Sequence, residues 1–317
     1  MTTVTVITTG GGDETSLWDA IPATLTDDMT INCSGTTADA PGGSVSIDLA
    51  GYDLIINGDF AGTSRDTGAY RIEADGDYDY PFYVNFSNGG SVTINGVQFG
   101  TNYRDAVRIG GVAPVLTDCL AYQVSTGTGN GFRNDVDGGI YVNCWAVGLG
   151  GNGFGSDGED MYCYNCVAIA NGGDGFHQRD YRWLRATNCY AGGNTGDDYG
   201  VATNNPERMV LTTCASSDTT GTATLQEIDY SVSAGAYFTN VTSGSEDVEI
   251  GASSELRGEG TDLSADGTYA FDYDIVGTTR SAWDIGVFEY VAAGGGGSVV
   301  PIIMQMMDQF SGGTVWR

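Results

Sequence analysis

The chain has 317 residues, of which 41 are acidic and 12 are arginine, with no lysine, and its formal net charge is −29. This charge would repel phosphates, so nucleic acid is excluded as a partner. No stretch reaches the roughly 18 apolar residues that a membrane-spanning helix needs, so a membrane span is excluded as well.

Residues 1–44 are predicted to form a strand and a capping helix that lead into the main fold. The strand is "VTVIT" at 4–8, and the helix lies in "DETSLWDAIPATL", with Asp13 or Thr15 as its N-cap. The residues that would face inward and cover one end of the core are Leu17, Trp18 and Ile21. The start has neither the charged region nor the continuous apolar segment of a signal peptide, so we expect no export by that route.

Two short phrases recur along the middle of the chain at a nearly constant distance. The first ends in an aromatic residue, as in "GNGF" and "GDGF", and its copies lie 22, 22 and 23 residues apart. Its four aromatics are Phe132, Phe154, Phe176 and Tyr199. The second phrase, as in "NCWA" and "NCVA", runs in step with the first and carries one cysteine per copy. A period this short indicates stacked repeats that are not pairs of helices.

Val, Ile, Tyr and Thr between the phrases, with Gly and Asn as punctuation, favour strands and turns. A repeat of this length predicts a parallel β-helix, an all-β solenoid whose coils stack at roughly 4.8 Å. Equivalent residues of successive coils would then form columns. The predicted inward column is Cys119, Cys144, Cys166, Cys189 and Cys214. The predicted ladder of hydrogen-bonded turn residues is Asp118, Asn143, Asn165 and Asn188.

This pattern resembles the right-handed parallel β-helix proteins, in particular the phage-encoded, virion-associated, pectate-lyase-like type. The resemblance covers roughly residues 45–290, and we predict that the β-helix comprises residues 45–291. The Gly-Gly-Asp turn before "SLWDA" and the segment "AWDIGVFEY" at 282–290 also carry it. It implies a fold shared by polysaccharide lyases, glycosidases, adhesins and phage tailspikes. It implies no single activity, because the repeated residues are packing residues.

The C-terminal region is predicted to form the last coil of the fold and then to continue beyond it. The core of the last coil would contain Trp283, Ile285, Val287 and Phe288. A flexible Gly-rich linker follows at 292–298, and after it comes the most apolar stretch, 299–317. This stretch is predicted to dock into a partner protein, with a disordered or back-folded tail as the alternative. Its docking side chains would be Ile302, Ile303, Met304, Met307 and Phe310.

The cysteines are predicted to be free and buried, because five of the seven occur once per coil and stacked side chains hardly reach the disulfide torsion. Cys163 and Cys166 form a C-x-x-C without a second pair at zinc spacing, and they would face opposite sides of a strand. The Gly-rich phrases lack the Asp that calcium-binding nonapeptides require. We therefore predict no metal or cofactor, and calcium has no motif to support it.

Stacking of the aromatic phrases would bring polar residues of neighbouring coils together on the outer surface. The aligned sets are Arg133, Gly155 and His177; Asn134, Ser156 and Gln178; and Asp135, Asp157 and Arg179. Two carboxylates one coil apart would raise the pKa of one of them and supply a general acid. The candidate catalytic residues are Asp135, Asp157, His177 and Arg179. Catalysis is not the favoured interpretation, because an acidic β-helix is expected to pair Asp with Arg in its outer turns.

The favoured interpretation is a structural virion protein of a phage. It would be a capsid decoration, a head fibre or a tail-associated protein on the virion surface, bound to other virion proteins through its C-terminal stretch. Two alternatives stay open. One is a polysaccharide-binding or polysaccharide-degrading β-helix protein, either a lyase or a glycoside hydrolase, and the other is a secreted adhesin or filament subunit. A homo-oligomer and a surface glycan as ligand also stay open.

Deletion of residues 299–317 tests the docking interpretation. The truncated protein should keep its melting temperature, because the β-helix core is complete without this stretch, and it should no longer be incorporated into its assembly. Thermal unfolding and mass spectrometry of purified virions measure the two effects. Unaltered incorporation would reject the docking interpretation.

Overall fold

The computed structural model describes residues 1–39, 44–74, 80–156, 160–179, 182–201, 206–218, 238–242 and 244–292. Within them the chain winds into a parallel β-helix of three sheets, which confirms the predicted all-β fold class. The strands of each sheet come from successive coils and pair in parallel with their neighbours. The linker from 293 onward and the five predicted docking side chains lie outside the described residues.

The described strands fall into three sheets. The first sheet contains β1 (Thr2–Ile7), β2 (Met29–Ser34), β4 (Leu54–Asn57), β7 (Val92–Asn95), β10 (Pro114–Thr117), β13 (Gly139–Val142), β16 (Met161–Tyr164), β19 (Leu184–Thr187) and β22 (Met209–Thr212). The second sheet contains β3 (Ser44–Asp48), β6 (Phe82–Ser87), β9 (Val107–Gly110), β12 (Phe132–Asn134), β15 (Phe154–Ser156), β18 (Phe176–Gln178) and β21 (Tyr199–Val201). The third sheet contains β5 (Arg71–Glu73), β8 (Gln98–Thr101), β11 (Leu120–Gln123), β14 (Trp145–Val147), β17 (Val167–Ile169), β20 (Tyr190–Gly192) and β23 (Ala215–Ser216). A 3₁₀ turn lies at Pro206–Arg208.

The predicted capping helix is a single turn, α1 (Leu17–Ala20). Its N-cap is Ser16, whose hydroxyl accepts a hydrogen bond from the Trp18 N–H at 3.2 Å, and not the predicted Asp13 or Thr15. A serine oxygen in this position satisfies one of the N–H groups that the first helical turn leaves unpaired. The helix contacts β1 and β2, and its apolar side chains join the main core, so it covers the beginning of the stack.

Aromatic rings form a column on the inner side of the second sheet. The ring centroids of Phe132 and Phe154 are 5.0 Å apart, those of Phe154 and Phe176 are 4.9 Å apart, and those of Phe176 and Tyr199 are 5.2 Å apart. All four rings are stacked within 20° of parallel and fully buried. Because the coil repeat brings equivalent residues to this distance, each ring fills the space above the previous one.

The cysteines lie inside the solenoid as free thiols. The column formed by successive coils is Cys119, Cys144, Cys166, Cys189 and Cys214. Two of its members are in direct contact, because the backbone N–H of Cys166 donates to the Sγ atom of Cys189 at 3.3 Å. Burial raises the pKa of the Cys163 thiol to about 11, so this thiol is protonated at neutral pH.

A residue in the left-handed conformation separates the first sheet from the third in five successive coils. The φ angles are 55° at Asp118, 49° at Asn143, 52° at Asn165, 55° at Asn188 and 48° at Thr213. Asn and Asp adopt this conformation at low cost. This residue also interrupts the alternation of inward and outward side chains along the strands. Cys163 and Cys166, which lie on either side of Asn165, therefore both point inward. The prediction that this C-x-x-C pair faces opposite sides is therefore wrong.

A long C-terminal segment lies outside the coils and covers the outer face of the third sheet. It runs from 238 to 290 and contains no named strand among its described residues. Its apolar side chains Phe238, Val248, Ile250, Leu256, Ile275, Ile285 and Val287 pack on Leu120, Trp145, Val167 and Tyr190. Trp283 packs with Phe271 beside Tyr164 on the outer side of the first sheet. The residues that we predicted for the core of a last coil thus pack on the outside of the solenoid.

Arg280 fastens this C-terminal segment to the ladder of turn residues. It is buried, and its guanidinium lies 3.7 Å from the carboxylate of Glu289. The Nη2 group donates to the Oδ1 atom of Asn143 at 3.4 Å, and the amide oxygen of Asn165, oriented to satisfy its neighbours, accepts from Arg280 at 2.9 and 3.1 Å. The Nε group donates to the carbonyl oxygen of Tyr273 at 3.2 Å. The turn ladder therefore serves as the attachment site of the covering segment.

Asp118 is the first member of the ladder and stands where later coils have asparagine. The side-chain amide of Asn143 donates to its Oδ1 atom at 3.1 Å. Burial raises the pKa of Asp118 to about 8, although the hydrogen bond from Asn143 acts in the opposite direction. At neutral pH the side chain is therefore mainly the neutral acid, which has one donor and one acceptor side like the amides that follow it.

Replacement of Asp118 by asparagine should stabilise the protein in a pH-dependent way. The pKa of this carboxyl is about 3.9 in the unfolded chain and about 8 in the folded one, so the wild type loses stability as the pH rises between these values. The gain in the free energy of unfolding for Asp118→Asn should be small near pH 4, grow until about pH 8 and then level off. Urea unfolding across this range measures it, with the exposed Asp19→Asn as control. A gain that does not grow with pH would contradict the account.

Candidate functional site

The outer face of the second sheet carries a row of residues in register, which we call the outward row. Strand pairing aligns Tyr83, Arg108, Arg133, Gly155, His177 and Gly200 across six successive strands. Residues on either side of them in each strand point into the core, since alternate side chains of a strand face opposite sides. The outward row is therefore a continuous surface strip that runs along the solenoid axis.

Two arginines of the row share one carboxylate. The Nε group of Arg108 donates to Asp135 Oδ2 at 2.5 Å, and the Nε group of Arg133 donates to Asp135 Oδ1 at 3.1 Å. Arg133 also contacts a second carboxylate, since the Oδ2 atom of Asp105 lies 3.5 Å from Nη1 of Arg133. Burial lowers the pKa of Arg108, but the hydrogen bond and charge of Asp135 outweigh burial and raise it. Charges in this part of the row are therefore matched one to one.

Aromatic rings lie at the end of the row that comes first in the chain. The rings of Tyr80 and Tyr83 have centroids 4.9 Å apart. The guanidinium of Arg108 lies over Tyr83 at 4.7 Å from the ring centroid, and that of Arg104 lies over Tyr80 at 5.4 Å. These distances are typical of cation–π contacts, which fix the planes of the rings and of the guanidinium groups.

Gly155, in the middle of the row, is a buried position without a side chain. It occupies the central position of β15, and no described atom lies within 4 Å of the place where a Cβ would be. At two other outward strand positions, crowding explains why glycine is present. A Cβ at Gly110 would overlap the Asn85 side chain, and one at Gly200 would overlap the Asp174 carboxylate. A glycine inside a strand weakens the strand and often marks a place where a ligand approaches closely.

On the next strand after Gly155, His177 is held by Asp174. The Nδ1 atom of His177 lies 2.6 Å from Asp174 Oδ2, and Asp174 Oδ1 accepts the backbone N–H of Asp197 at 2.9 Å. A Cβ at either Gly196 or Gly200 would overlap the Asp174 carboxylate, so the sequence leaves room for this group on two sides. Because a carboxylate can only accept, a hydrogen bond in this contact is donated by Nδ1 of His177.

A second cluster of arginines and aromatic rings lies across the turn between the second and first sheets. Arg185 donates to Asp160 at 2.7 Å, and its guanidinium lies 4.7 Å from the ring of Trp183 and 5.2 Å from that of Tyr162. Arg208 lies 5.5 Å from the same tryptophan ring. The cluster extends the polar, aromatic surface beyond the row itself.

The four candidate catalytic residues have different positions in the structure. Asp135 is bound by two arginines, and His177 is bound by Asp174. Arg179 directly follows β18 and is exposed, and Asp157 lies outside the described residues. Among the described contacts, Asp135 and His177 belong to separate ion pairs and do not touch. The structure thus places two of the candidates on one strip without joining them into a pair of carboxylic acids.

Sequence reasoning did not identify Tyr83 and Arg108 as members of the same strip. The aromatic phrase is degenerate in their coils, because the residue in register with Phe132 is Val107. The signal that could have found them is the spacing of Arg108 and Arg133, which equals the length of one coil.

The face offers carboxylate acceptors, guanidinium donors and aromatic rings side by side, which are the groups that bind polyhydroxylated ligands. Within the described part of the chain, no three His, Cys, Asp or Glu side chains are grouped so as to hold a metal ion. In the same residues, no helix has the length and apolar character that crossing a membrane requires.

Comparison with known proteins finds a likeness among solved structures. No protein-family model matches the chain, and no curated protein matches it. Among solved structures, the crystal structure of pectate lyase Pel9A is similar, with a TM-score of 0.48 and 14% sequence identity over 91% of this chain and 96% of that one.

The fit between Gly200 and Asp174 can be tested by a double-mutant cycle. Gly200→Ala should destabilise the protein by about 1–3 kcal/mol, because the new methyl group would displace a carboxylate that His177 and Asp197 hold in place. Asp174→Ala should remove most of this penalty in the double variant. Urea unfolding of the four proteins measures the coupling, with Gly155→Ala as the matched control that should be tolerated. Equal penalties in both backgrounds would show that the two residues are not coupled.

Proposed function

We propose that the outward row binds an extended, uncharged polysaccharide along the axis of the solenoid. This takes up the polysaccharide interpretation that the sequence left open. The observation that carries it is the register of the row, which places the Arg133 guanidinium and the His177 imidazole on either side of Gly155 on one outer face.

The dimensions of the row suit a linear glycan. Successive coils are about 4.8 Å apart, which is close to the length of one sugar ring in an extended chain. A polymer lying along the row would therefore meet an equivalent residue of the protein at each sugar. Polar side chains flank Gly155 in the row, and the tyrosines at the other end offer flat surfaces for the apolar faces of sugar rings.

The charges favour a neutral ligand. Arg108 and Arg133 are matched by Asp135 and Asp105, so the row offers no excess of positive charge to a polyanion. The whole chain carries a formal net charge of −29, which repels acidic polymers at a distance. Paired carboxylates and guanidinium groups still accept and donate hydrogen bonds, and sugar hydroxyls can form both kinds.

The virion role stays a prediction from the sequence. It depends on the apolar stretch 299–317, which lies outside the described residues. Binding of a surface glycan by the β-helix and docking of the C-terminal stretch use different parts of the chain, so the two interpretations are compatible.

Substitution of Gly155 by threonine tests the proposal without damaging the fold. Threonine suits an extended strand better than glycine, so the melting temperature should stay the same or rise. The side chain would stand in the row between Arg133 and His177 and cost bound glycan about 1–3 kcal/mol, which is roughly tenfold or more in affinity. Affinity electrophoresis against a panel of neutral and acidic polysaccharides measures binding. Val210→Thr, at an exposed strand position of the first sheet, is the matched control.

The outcomes separate the interpretations. Binding of neutral polysaccharides that Gly155→Thr weakens and Val210→Thr does not would support the proposal. Preference for acidic polymers, or equal binding by Gly155→Thr and the wild type, would reject the outward row as the binding face.

A further inference from the structure

Asparagine stands directly before glycine at six places in the chain. These asparagines are Asn57, Asn88, Asn95, Asn130, Asn152 and Asn171. In such a pair the peptide nitrogen of the glycine can attack the amide carbon of the asparagine side chain. The attack closes a five-membered ring within the chain, and glycine has no side chain to block it. The six pairs carry the same reactive groups, so their surroundings in the fold decide which of them reacts.

Five of the six pairs are held by hydrogen bonds on both reacting groups. At Asn152, the Oδ1 atom accepts the N–H of Asp174 at 2.8 Å, and the N–H of Gly153 donates to the carbonyl oxygen of Asp174 at 2.9 Å. The other four pairs likewise have a bonded side chain and a bonded glycine N–H. Their asparagines are Asn57, Asn95, Asn130 and Asn171, and their glycines are Gly58, Gly96, Gly131 and Gly172. Ring closure at these sites has to break hydrogen bonds first.

The pair of Asn88 and Gly89 lies in the turn between β6 and β7, where residues 87–90 are exposed. Among the described residues, none forms a hydrogen bond with the Asn88 side chain or with the Gly89 N–H. The φ angles are 61° at Asn88, 76° at Gly89 and 79° at Gly90, a conformation that asparagine and glycine adopt at low cost. The two reacting groups can therefore approach each other without breaking a hydrogen bond of their own.

We propose that the fold directs spontaneous deamidation to Asn88. The nitrogen of Gly89 gives up its proton and bonds to Cγ of Asn88, and the side-chain nitrogen takes up a proton and leaves as ammonia. The product is a succinimide ring. Water then adds to one of the two ring carbonyl carbons and breaks its bond to nitrogen. Breakage at Cγ gives aspartate, and breakage at the main-chain carbonyl carbon gives isoaspartate, so water is the only co-reactant.

The modification changes the turn in two ways. Both products replace a neutral amide by a carboxylate, so the chain becomes more acidic. Isoaspartate also carries the main chain through the former side chain and lengthens the turn by one carbon atom. Because a Cβ at Gly90 would already overlap the carbonyl oxygen of Tyr52, the lengthened turn fits poorly. Asn88 lies outside the outward row, and its chemistry is independent of polysaccharide binding.

Timed incubation of the full-length protein tests the proposal, with peptide mapping by mass spectrometry at all six sites. In the native protein, Asn88 should be modified about tenfold or more faster than the other five, which react only after local opening. Its rate should rise in proportion to the hydroxide concentration, because the Gly89 nitrogen has to lose its proton. Asn152, with both groups bonded, is the matched internal control. In urea the six rates should approach one another.

Two variants check the assignment by ion-exchange chromatography. Asn88→Ala should no longer give the acidic form that accumulates in the wild type. Its melting temperature should stay close to that of the wild type, since Ala50 has a left-handed φ of 51° in the turn one coil earlier. Asn88→Asp should elute with the acidic form from the start. The comparison of the six wild-type sites depends on neither variant.

Faster reaction at Asn88 in the native protein, with similar rates at all six sites in urea, would support the proposal. Equal rates in the native protein would overturn it, and so would the same ratio of rates in urea as in buffer. An acidic form that accumulates as fast in Asn88→Ala as in the wild type would also overturn it.

Discussion

The fold depends on one backbone conformation that recurs at the same place in each of five successive coils. A left-handed residue, from Asp118 to Thr213, turns the chain between the first and third sheets. It sets which side chains enter the core, because it interrupts the alternation of the strands. The cysteines and the alanines that follow it point inward, and the residues between them, such as Trp145, point outward. Parallel pairing then repeats this arrangement of inward and outward side chains from coil to coil.

The sequence predicted the repeat because stacked coils require similar residues at equivalent positions. It predicted the second sheet well, where Phe154 and Phe176 stack one coil apart. It did not predict where 238–290 would lie. In a third-sheet strand the outward Val167 is as apolar as the inward Ala168, so composition alone does not tell the two faces apart. The turn geometry decides which face of the strand points inward and which is covered by the C-terminal segment, and the sequence shows this geometry only indirectly.

The candidate site was predictable to the extent that it follows the repeat. Alignment of the aromatic phrases places Arg133, Gly155 and His177 in one line, and strand pairing has the same register. The roles of these residues come from contacts that depend on side-chain direction. The binding of His177 by Asp174 needs the room left by Gly200, which lies in the next coil, and no spacing in the sequence indicates that relation.

The outer faces of the second and third sheets therefore differ in what covers them. The third sheet is apolar outside from β11 onward and lies beneath the C-terminal segment, which Arg280 fastens to the turn ladder. The outer face of the second sheet has the opposite character. Its row is polar, its ion pairs are internal, and its central Gly155 has no described neighbour to explain it. The C-terminal segment thus stabilises the third sheet, whereas the described part of the second sheet presents polar side chains on its outer face. We propose that a ligand binds on this polar face, away from the core.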